Sequence, residues 1–214
     1  MDARSIQGLY GIADALFRPE LPIDEKVRAF LDGGASAVQL RLKGRPAKEL
    51  YAAALRAVAL SRGRALVFVN DRPDVALAAG ADGVHLGADD LDVAQARRLA
   101  GDRLVIGATA RTLETAREAI AAGADYVGFG PIFATQTKAV DAAPRGVDEL
   151  ARVARELGAP VVAIGGIGLS NVAAVARHGA CAAAVISDVL GATDPAGRAR
   201  AVVLAFRQAR EEDA

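Results

Sequence analysis

The 214 residues balance 26 Lys and Arg against 26 Asp and Glu, and 52% are hydrophobic with only 4% aromatic and no Trp. The balance argues against a general nucleic-acid-binding surface, and no run of about 18 apolar residues exists to span a membrane. A single cysteine, Cys181, rules out an internal disulfide, and the segment Met1 to Ser5 lacks a signal-like apolar stretch, so a cytoplasmic protein is expected.

The first apolar run, Leu9 to Ala13, is followed by a helical stretch from about 24, with Pro22 at its entry. Gly34-Ala35-Ser36 then leads into Ala37 to Lys43. Side chains alternate along a strand, so Gln39, Arg41 and Lys43 share one face and Val38, Leu40 and Leu42 the other. The apolar face must pack on helices, which turns the polar trio inward. An unpaired buried cation costs several kcal/mol. Arg41 and Lys43 therefore need an anionic partner: rim aspartates in an internal ion pair, or an anionic ligand such as phosphate or diphosphate.

A helical stretch from about 47, entered at Pro46, precedes Leu66 to Asn70, which runs into Asp71. A helix from about 73 closes at Gly80-Ala81-Asp82, before Gly83-Val84-His85-Leu86-Gly87 and then Ala88, Asp89 and Asp90. If these two strands are parallel neighbours, Asp71 and one carboxylate of the second loop, Asp89 or Asp90, share a rim. Paired carboxylates there are suited to Mg²⁺ held against a phosphorylated substrate. His85, inside an apolar strand, reads as a hydrogen-bonded packing residue rather than an acid or base.

After a helix from about 91 come Val105 to Thr109, with Thr112 as the expected N-cap of the next helix. Gly123-Ala124-Asp125 introduces Tyr126 to Pro131, and about fifteen residues then separate this strand from a helix near Val147, long for such a connection and typical of a functional lid. Thr135, Thr137 and Lys138 in it supply hydroxyls and a cation for a phosphorylated substrate. Val161 to Ile164 ends in Gly165-Gly166, and Ser170 is the expected N-cap of the helix from about 169. His178 reads as a helix C-terminal residue favoured by the dipole. Gly179-Ala180-Cys181 leads into Ala182 to Ile186 and Ser187, with Cys181 read as a small buried hydrophobe. A helix from about 196 completes the chain.

Each Gly-Ala pair sits where a helix should end in a left-handed residue. Strict alternation of eight strands and eight helices, punctuated this way to the last strand, predicts an α/β fold, a (β/α)₈ TIM barrel over 1–214 as a single domain, in preference to a doubly wound sheet. Ligands of such a barrel lie at the C-terminal strand ends, here Asp14, Lys43, Asn70, Asp71, Asp89, Asp90, Thr109, Pro131, Gly165, Gly166 and Ser187. The loops after strands 7 and 8 form its recurrent phosphate site, where Gly166 lets a phosphate approach the backbone and Ser187 adds a hydroxyl. Two histidines and one cysteine argue against zinc, and no Ser-His-Asp arrangement or Walker-type loop is visible.

In order along the chain, Gln39-Leu40-Arg41-Leu42-Lys43, Asn70-Asp71-Arg72, Asp82 to Gly87 with Asp90, Tyr126 to Pro131 with Thr135-Gln136-Thr137-Lys138, Ala163 to Ile167 and Val185-Ile186-Ser187 resemble the thiamine phosphate synthase family. The resemblance implies condensation of 4-amino-2-methyl-5-(diphosphooxymethyl)pyrimidine with 4-methyl-5-(2-phosphooxyethyl)thiazole. The products are thiamine phosphate and diphosphate. It implies Mg²⁺ on Asp71 and Asp90, the pyrimidine diphosphate on Gln39 to Lys43, Asn70, Thr109 and Lys138, and the thiazole phosphate on Thr135, Gln136, Thr137, Gly166, Ile186 and Ser187. Arg41, Lys43 and Lys138 would neutralise the departing diphosphate. Family chemistry is dissociative, a pyrimidinyl-methyl cation being captured by the thiazole nitrogen, so no protein nucleophile is needed. The chain departs from the family pattern at Ala88, where Gln is common, at Thr109, where Ser is common, and at Arg111, where His is frequent.

The partners implied are two phosphorylated small molecules, with no nucleic acid and no membrane, and a homo-oligomer is left open. The competing readings are a thiazole tautomerase, a phosphate-binding barrel isomerase of sugar or indole metabolism, and a non-catalytic barrel that binds a thiamine precursor. The first tends to lack the metal aspartates and the strand 6 Gly-Pro, both present here as Asp71, Asp90 and Gly130-Pro131. The second has no need for Gln39, Arg41 and Lys43 beside an aspartate pair, and the third would have lost some charged rim residues.

Overall fold

A computed structural model of the chain describes residues 2–135 and 143–212. Eight parallel strands, β1 (Gly8–Asp14), β2 (Ala37–Arg41), β3 (Leu66–Asn70), β4 (Gly83–Leu86), β5 (Val105–Ala110), β6 (Tyr126–Phe129), β7 (Val161–Ile164) and β8 (Ala182–Val185), form a closed barrel in chain order, with β8 pairing back to β1. Around it run α1 (Ile23–Asp32), α2 (Ala47–Ser61), α3 (Pro73–Ala79), α4 (Val93–Ala100), α5 (Leu113–Ala121), α6 (Gly146–Leu157), α7 (Val172–Arg177), the short α8 (Ser187–Leu190) and α9 (Pro195–Glu211). The expected TIM barrel is the fold observed. No helix among the described residues is long and apolar enough to cross a membrane.

Strand alternation sorts the core into two layers. Val38, Leu40, Val67, Val69, Val84, Ile106, Val127 and Ala163 point outward and pack with the helices. Each fully buried Val, Leu or Ile there contributes about 1.5–3 kcal/mol relative to exposure. Tyr10, Ile12, Phe68, Val105, Tyr126, Val162, Ala182 and Ala184 fill the barrel itself. Two inward glycines make room for its aromatic rings. A Cβ at Gly107 would meet the Tyr126 ring and hydroxyl, and one at Gly83 the Phe68 ring.

The helix stops follow the sequence pattern. Gly34, Gly80, Gly123 and Gly179 all adopt positive φ, between 66° and 105°, so each can end a helix without a Cβ clash. Pro22 and Pro46 immediately precede α1 and α2. Thr112 caps α5, its hydroxyl accepting from the Thr115 N–H in a reciprocal capping box. Ser170 does not cap α7. Asn171 holds that position, its Oδ1 accepting from Gly168 N at 2.9 Å while its Nδ2 donates to Gly166 O at 2.9 Å, a double tie made from two separate atoms of one amide.

Candidate active site

The parallel register sets Asp14 beside Arg41, and Asn70 beside His85. The C-terminal strand ends thereby surround one cavity lined by Gln39, Arg41, Lys43, Asn70, Asp71, Asp90, Thr109, Arg111, Thr135, Gly166, Ile186 and Ser187, among others. A more open depression continues it, sharing Thr135, Gly166, Ile167 and Ser187 and adding Phe17, Ser170 and Asp188.

Arg41 meets its counter-charge inside the protein. Its Nη1 donates to Asp14 Oδ2 at 2.6 Å, and the two side chains are only 12% and 2% exposed. Asp14 Oδ1 accepts from Leu16 N at 2.8 Å. Behind it the buried Lys26 ammonium donates to the carbonyls of Asp14 and Phe17, at 2.8 and 2.7 Å. Burial, the first cause, lowers the Lys26 pKa, and the nearby Asp14 opposes this. The β1–α1 loop is therefore tied down from below, and Arg41 is aimed by Asp14 with its other N–H groups left for the cavity it lines. Of the two origins expected for the anionic partner of Arg41, the internal ion pair is observed, and its aspartate is Asp14.

Asp71 directly follows β3 in a left-handed conformation, φ 66°, with its N–H donated to His85 O at 2.9 Å. Its side chain hydrogen-bonds that of Asp90, and Lys43 Nζ lies 3.5 Å from its Oδ2. Two carboxylates cannot bond each other without a proton between them. Burial first, then the hydrogen bond and charge of Asp90, raise the Asp71 carboxyl from 3.8 to about 6, against the lowering effect of Lys43. Asp90 reaches back to the rim because its Oδ2 accepts from Gly87 N at 2.7 Å, whereas Asp89 is exposed and does not line the cavity. Among the described residues no group of three or more His, Cys, Asp or Glu is placed to hold a metal. A pair of adjacent carboxylates fits Mg²⁺, which binds through one or two carboxylates and completes its shell with water and substrate phosphate oxygens.

Below the rim, polar side chains cross the barrel. Gln39 Nε2 donates to the Tyr10 hydroxyl at 3.0 Å, the Tyr10 and Tyr126 hydroxyls lie 2.9 Å apart, and His85 joins Tyr126 through Nδ1 at 3.0 Å and Thr109 Oγ1 through Nε2 at 3.1 Å. Burial raises both tyrosine pKa values, so neither phenol ionises near neutral pH.

On the other side of the mouth Gly165 and Gly166 have φ of 99° and 65°. A Cβ on Gly166 would meet Ala134 O and Phe133, so this glycine is required by close packing against the segment after β6. Asp188 ties the loops after β7 and β8 together, accepting from Leu169 N at 3.1 Å and from Arg198 Nη1 at 3.0 Å. Cys181 lies away from the cavity, and burial pushes its thiol up to about 11.

Of the residues expected at the site, Gln39, Arg41, Lys43, Asn70, Asp71, Asp90, Thr109, Thr135, Gly166, Ile186 and Ser187 come together. Leu40 and Leu42 do not reach the cavity with their side chains, since the alternation of β2 turns them outward into the helix-facing layer. Gln136, Thr137 and Lys138 lie outside the described residues. Sequence reasoning placed Asp14 at the rim without pairing it to Arg41 and assigned no site role to Tyr10 or Tyr126. The available signal was their inward phase: Tyr10, Ile12 and Asp14 alternate along β1 as Gln39 and Arg41 do along β2.

The family model for thiamine monophosphate synthase matches residues 9–189. A thiamine-phosphate synthase of Anaeromyxobacter dehalogenans is 60% identical over 185 residues, 86% of this chain and 83% of that protein. One of Myxococcus xanthus is 48% identical over 205 residues, 95% of this chain and 94% of its own length. Among solved structures, a thiamine phosphate pyrophosphorylase from Pyrococcus furiosus superposes with a TM-score of 0.89 at 39% identity, covering 97% of this chain and 99% of the other.

Proposed function

We infer the chemistry of the mouth from one premise: this chain belongs to the thiamine monophosphate synthase family. The reaction that goes with the family joins the pyrimidine diphosphate to the thiazole phosphate, releasing diphosphate and giving thiamine phosphate. The family identity favours this reading over the tautomerase, the sugar or indole isomerase and the non-catalytic barrel.

The observation that supports a site assignment is the two-sided mouth. Arg41, Lys43, Asp71 and Asp90 stand at the ends of β2, β3 and β4, and Thr135, Gly166 and Ser187 stand opposite. In our reading Gln39, Asn70 and Thr109 hold the pyrimidine diphosphate, and Arg41 and Lys43, with Lys138, neutralise charge on its leaving group. Asp71 and Asp90 would hold one Mg²⁺, which when bound screens the diphosphate charge. Asp14 keeps Arg41 aimed at the ligand. Thr135, Gly166, Ile186 and Ser187, with Gln136 and Thr137, receive the thiazole phosphate. The rate then comes from positioning two bound molecules and stabilising a departing anion. That agrees with a thiol held as a neutral thiol and placed away from the cavity. The lone cysteine supports a cytoplasmic setting.

Purified protein incubated with both substrates and Mg²⁺ is expected to form thiamine phosphate, and omission of either substrate to abolish it. Absence of product, with isomerisation of a thiazole carboxylate phosphate in its place, would overturn the assignment.

A further inference from the structure

We propose that Tyr126 and His85 are positioning residues that fix which hydrogen-bonding polarity the ligand meets at Gln39 and at Thr109, on opposite sides of the barrel. The proposal rests on the reading that these two residues touch the pyrimidine diphosphate, and it adds the hydrogen-bond order behind them.

Tyr10 is 2% exposed, Tyr126 0% and Gln39 3%. Groups so deeply buried must spend their hydrogens on one another. Gln39 turns Nε2 toward Tyr10 at 3.0 Å, and an amide N–H can only donate. Tyr10 thus accepts from Gln39, and its own O–H goes to Tyr126, 2.9 Å away. Tyr126 in turn donates to His85 Nδ1 at 3.0 Å, which must then be the bare nitrogen of a neutral ring. His85 carries its hydrogen on Nε2 and donates to Thr109 Oγ1 at 3.1 Å. Thr109, its oxygen engaged, presents its O–H as a donor.

The opposite order is also self-consistent. Every donor reverses only if the Gln39 amide flips, the His85 hydrogen moves to Nδ1 and Thr109 turns its O–H inward. The two ends are therefore coupled through Tyr126, and neither can change polarity alone. In the order set by the Gln39 amide, Gln39 leaves Oε1 as the acceptor for the cavity, and Thr109 offers a donor. That pattern matches a ligand with an N–H at one end and an anionic or lone-pair oxygen at the other. A 4-aminopyrimidine carrying a diphosphate has both. An analogue with a 4-oxo group sets acceptor against acceptor at Gln39. The rings hold the chain in place: Phe68 packs edge-on to Tyr126 at 5.6 Å, and His85 lies 5.6 Å from the same ring. Gly107 and Gly128 give Tyr126 and His85 their space.

Two measurements test this. In ¹⁵N-labelled wild-type protein, the ring nitrogens of His85 should report the neutral tautomer protonated at Nε2, and protonation at Nδ1 instead would overturn the proposal. This reading needs no substrate, so it stands apart from any failure of the protein to make thiamine phosphate. In turnover, wild type should prefer the 4-amino over the 4-oxo pyrimidine diphosphate by at least about 100-fold in kcat/KM. Tyr126→Phe should bring that preference down to about tenfold or less and raise KM for the pyrimidine diphosphate, leaving KM for the thiazole phosphate unchanged. Unchanged preference in Tyr126→Phe, or an equal rise in both KM values, would show the hydroxyl to be merely structural.

Discussion

Asp71 is held against two adverse terms when no metal is bound. Its left-handed backbone is strained for a residue with a Cβ, and its carboxyl is crowded by Asp90. Unfolded, the carboxyl titrates near 3.8, and folded at about 6. Between those values the native protein holds more protons than the unfolded chain, so stability falls as pH rises through that window, and the penalty is complete above it. With chelator present at pH 7.5, Asp71→Asn should unfold at a temperature equal to or above wild type, the difference shrinking toward pH 4. Mg²⁺ should raise the midpoint of wild type more than that of the variant. The same substitution should lower turnover by roughly 100-fold or more while the circular dichroism stays native. A fully active Asp71→Asn would remove Asp71 from the metal site. Strand alternation made Gln39, Arg41 and Lys43 legible in the sequence, but not which of Asp89 and Asp90 returns to the rim. That choice depends on a turn in which Asp90 caps Gly87, and family resemblance supplied it where spacing did not.

At the scale of elements, stops were easier to read than starts. The Gly-Ala pairs ended helices as expected because a positive φ is a strong local demand. Ser170 was misread because an N-cap depends on which side chain reaches the loop, and Asn171 reaches it twice. Thr112 was read correctly, and Thr112→Ala should cost about 1 kcal/mol in urea unfolding without altering KM. The floor of the barrel was the least legible part. Tyr10 and Tyr126 sit in apolar strands, and only the register of β1, β2 and the strands beyond brings their hydroxyls together. Gly107→Ala tests how tightly that floor is packed. The added Cβ would run into the Tyr126 ring, so a loss of about 1–3 kcal/mol is expected, measured by urea unfolding. A loss near zero would mean that β5 and β6 can part without strain.

For the molecule as a whole, eightfold alternation was enough to predict a closed barrel and its working end. An internal ion pair of Arg41 was one expectation, but which rim aspartate makes it was not legible, because Asp14 and Arg41 lie 27 residues apart in sequence and meet only through the parallel register. Net charge is zero across the chain, and the mouth repeats that balance, with Arg41, Lys43 and Arg111 lining it beside Asp14, Asp71 and Asp90. With the side chains balanced, a divalent cation on Asp71 and Asp90 would supply the excess positive charge that an anionic substrate requires. The most direct test is anomalous diffraction from crystals soaked with Mn²⁺, standing in for Mg²⁺, and inorganic diphosphate. A metal should bind within roughly 2.5 Å of one oxygen each of Asp71 and Asp90, with diphosphate between it and Arg41 and Lys43. A metal bound at Asp89 or Asp14, or diphosphate bound away from β2, would contradict it.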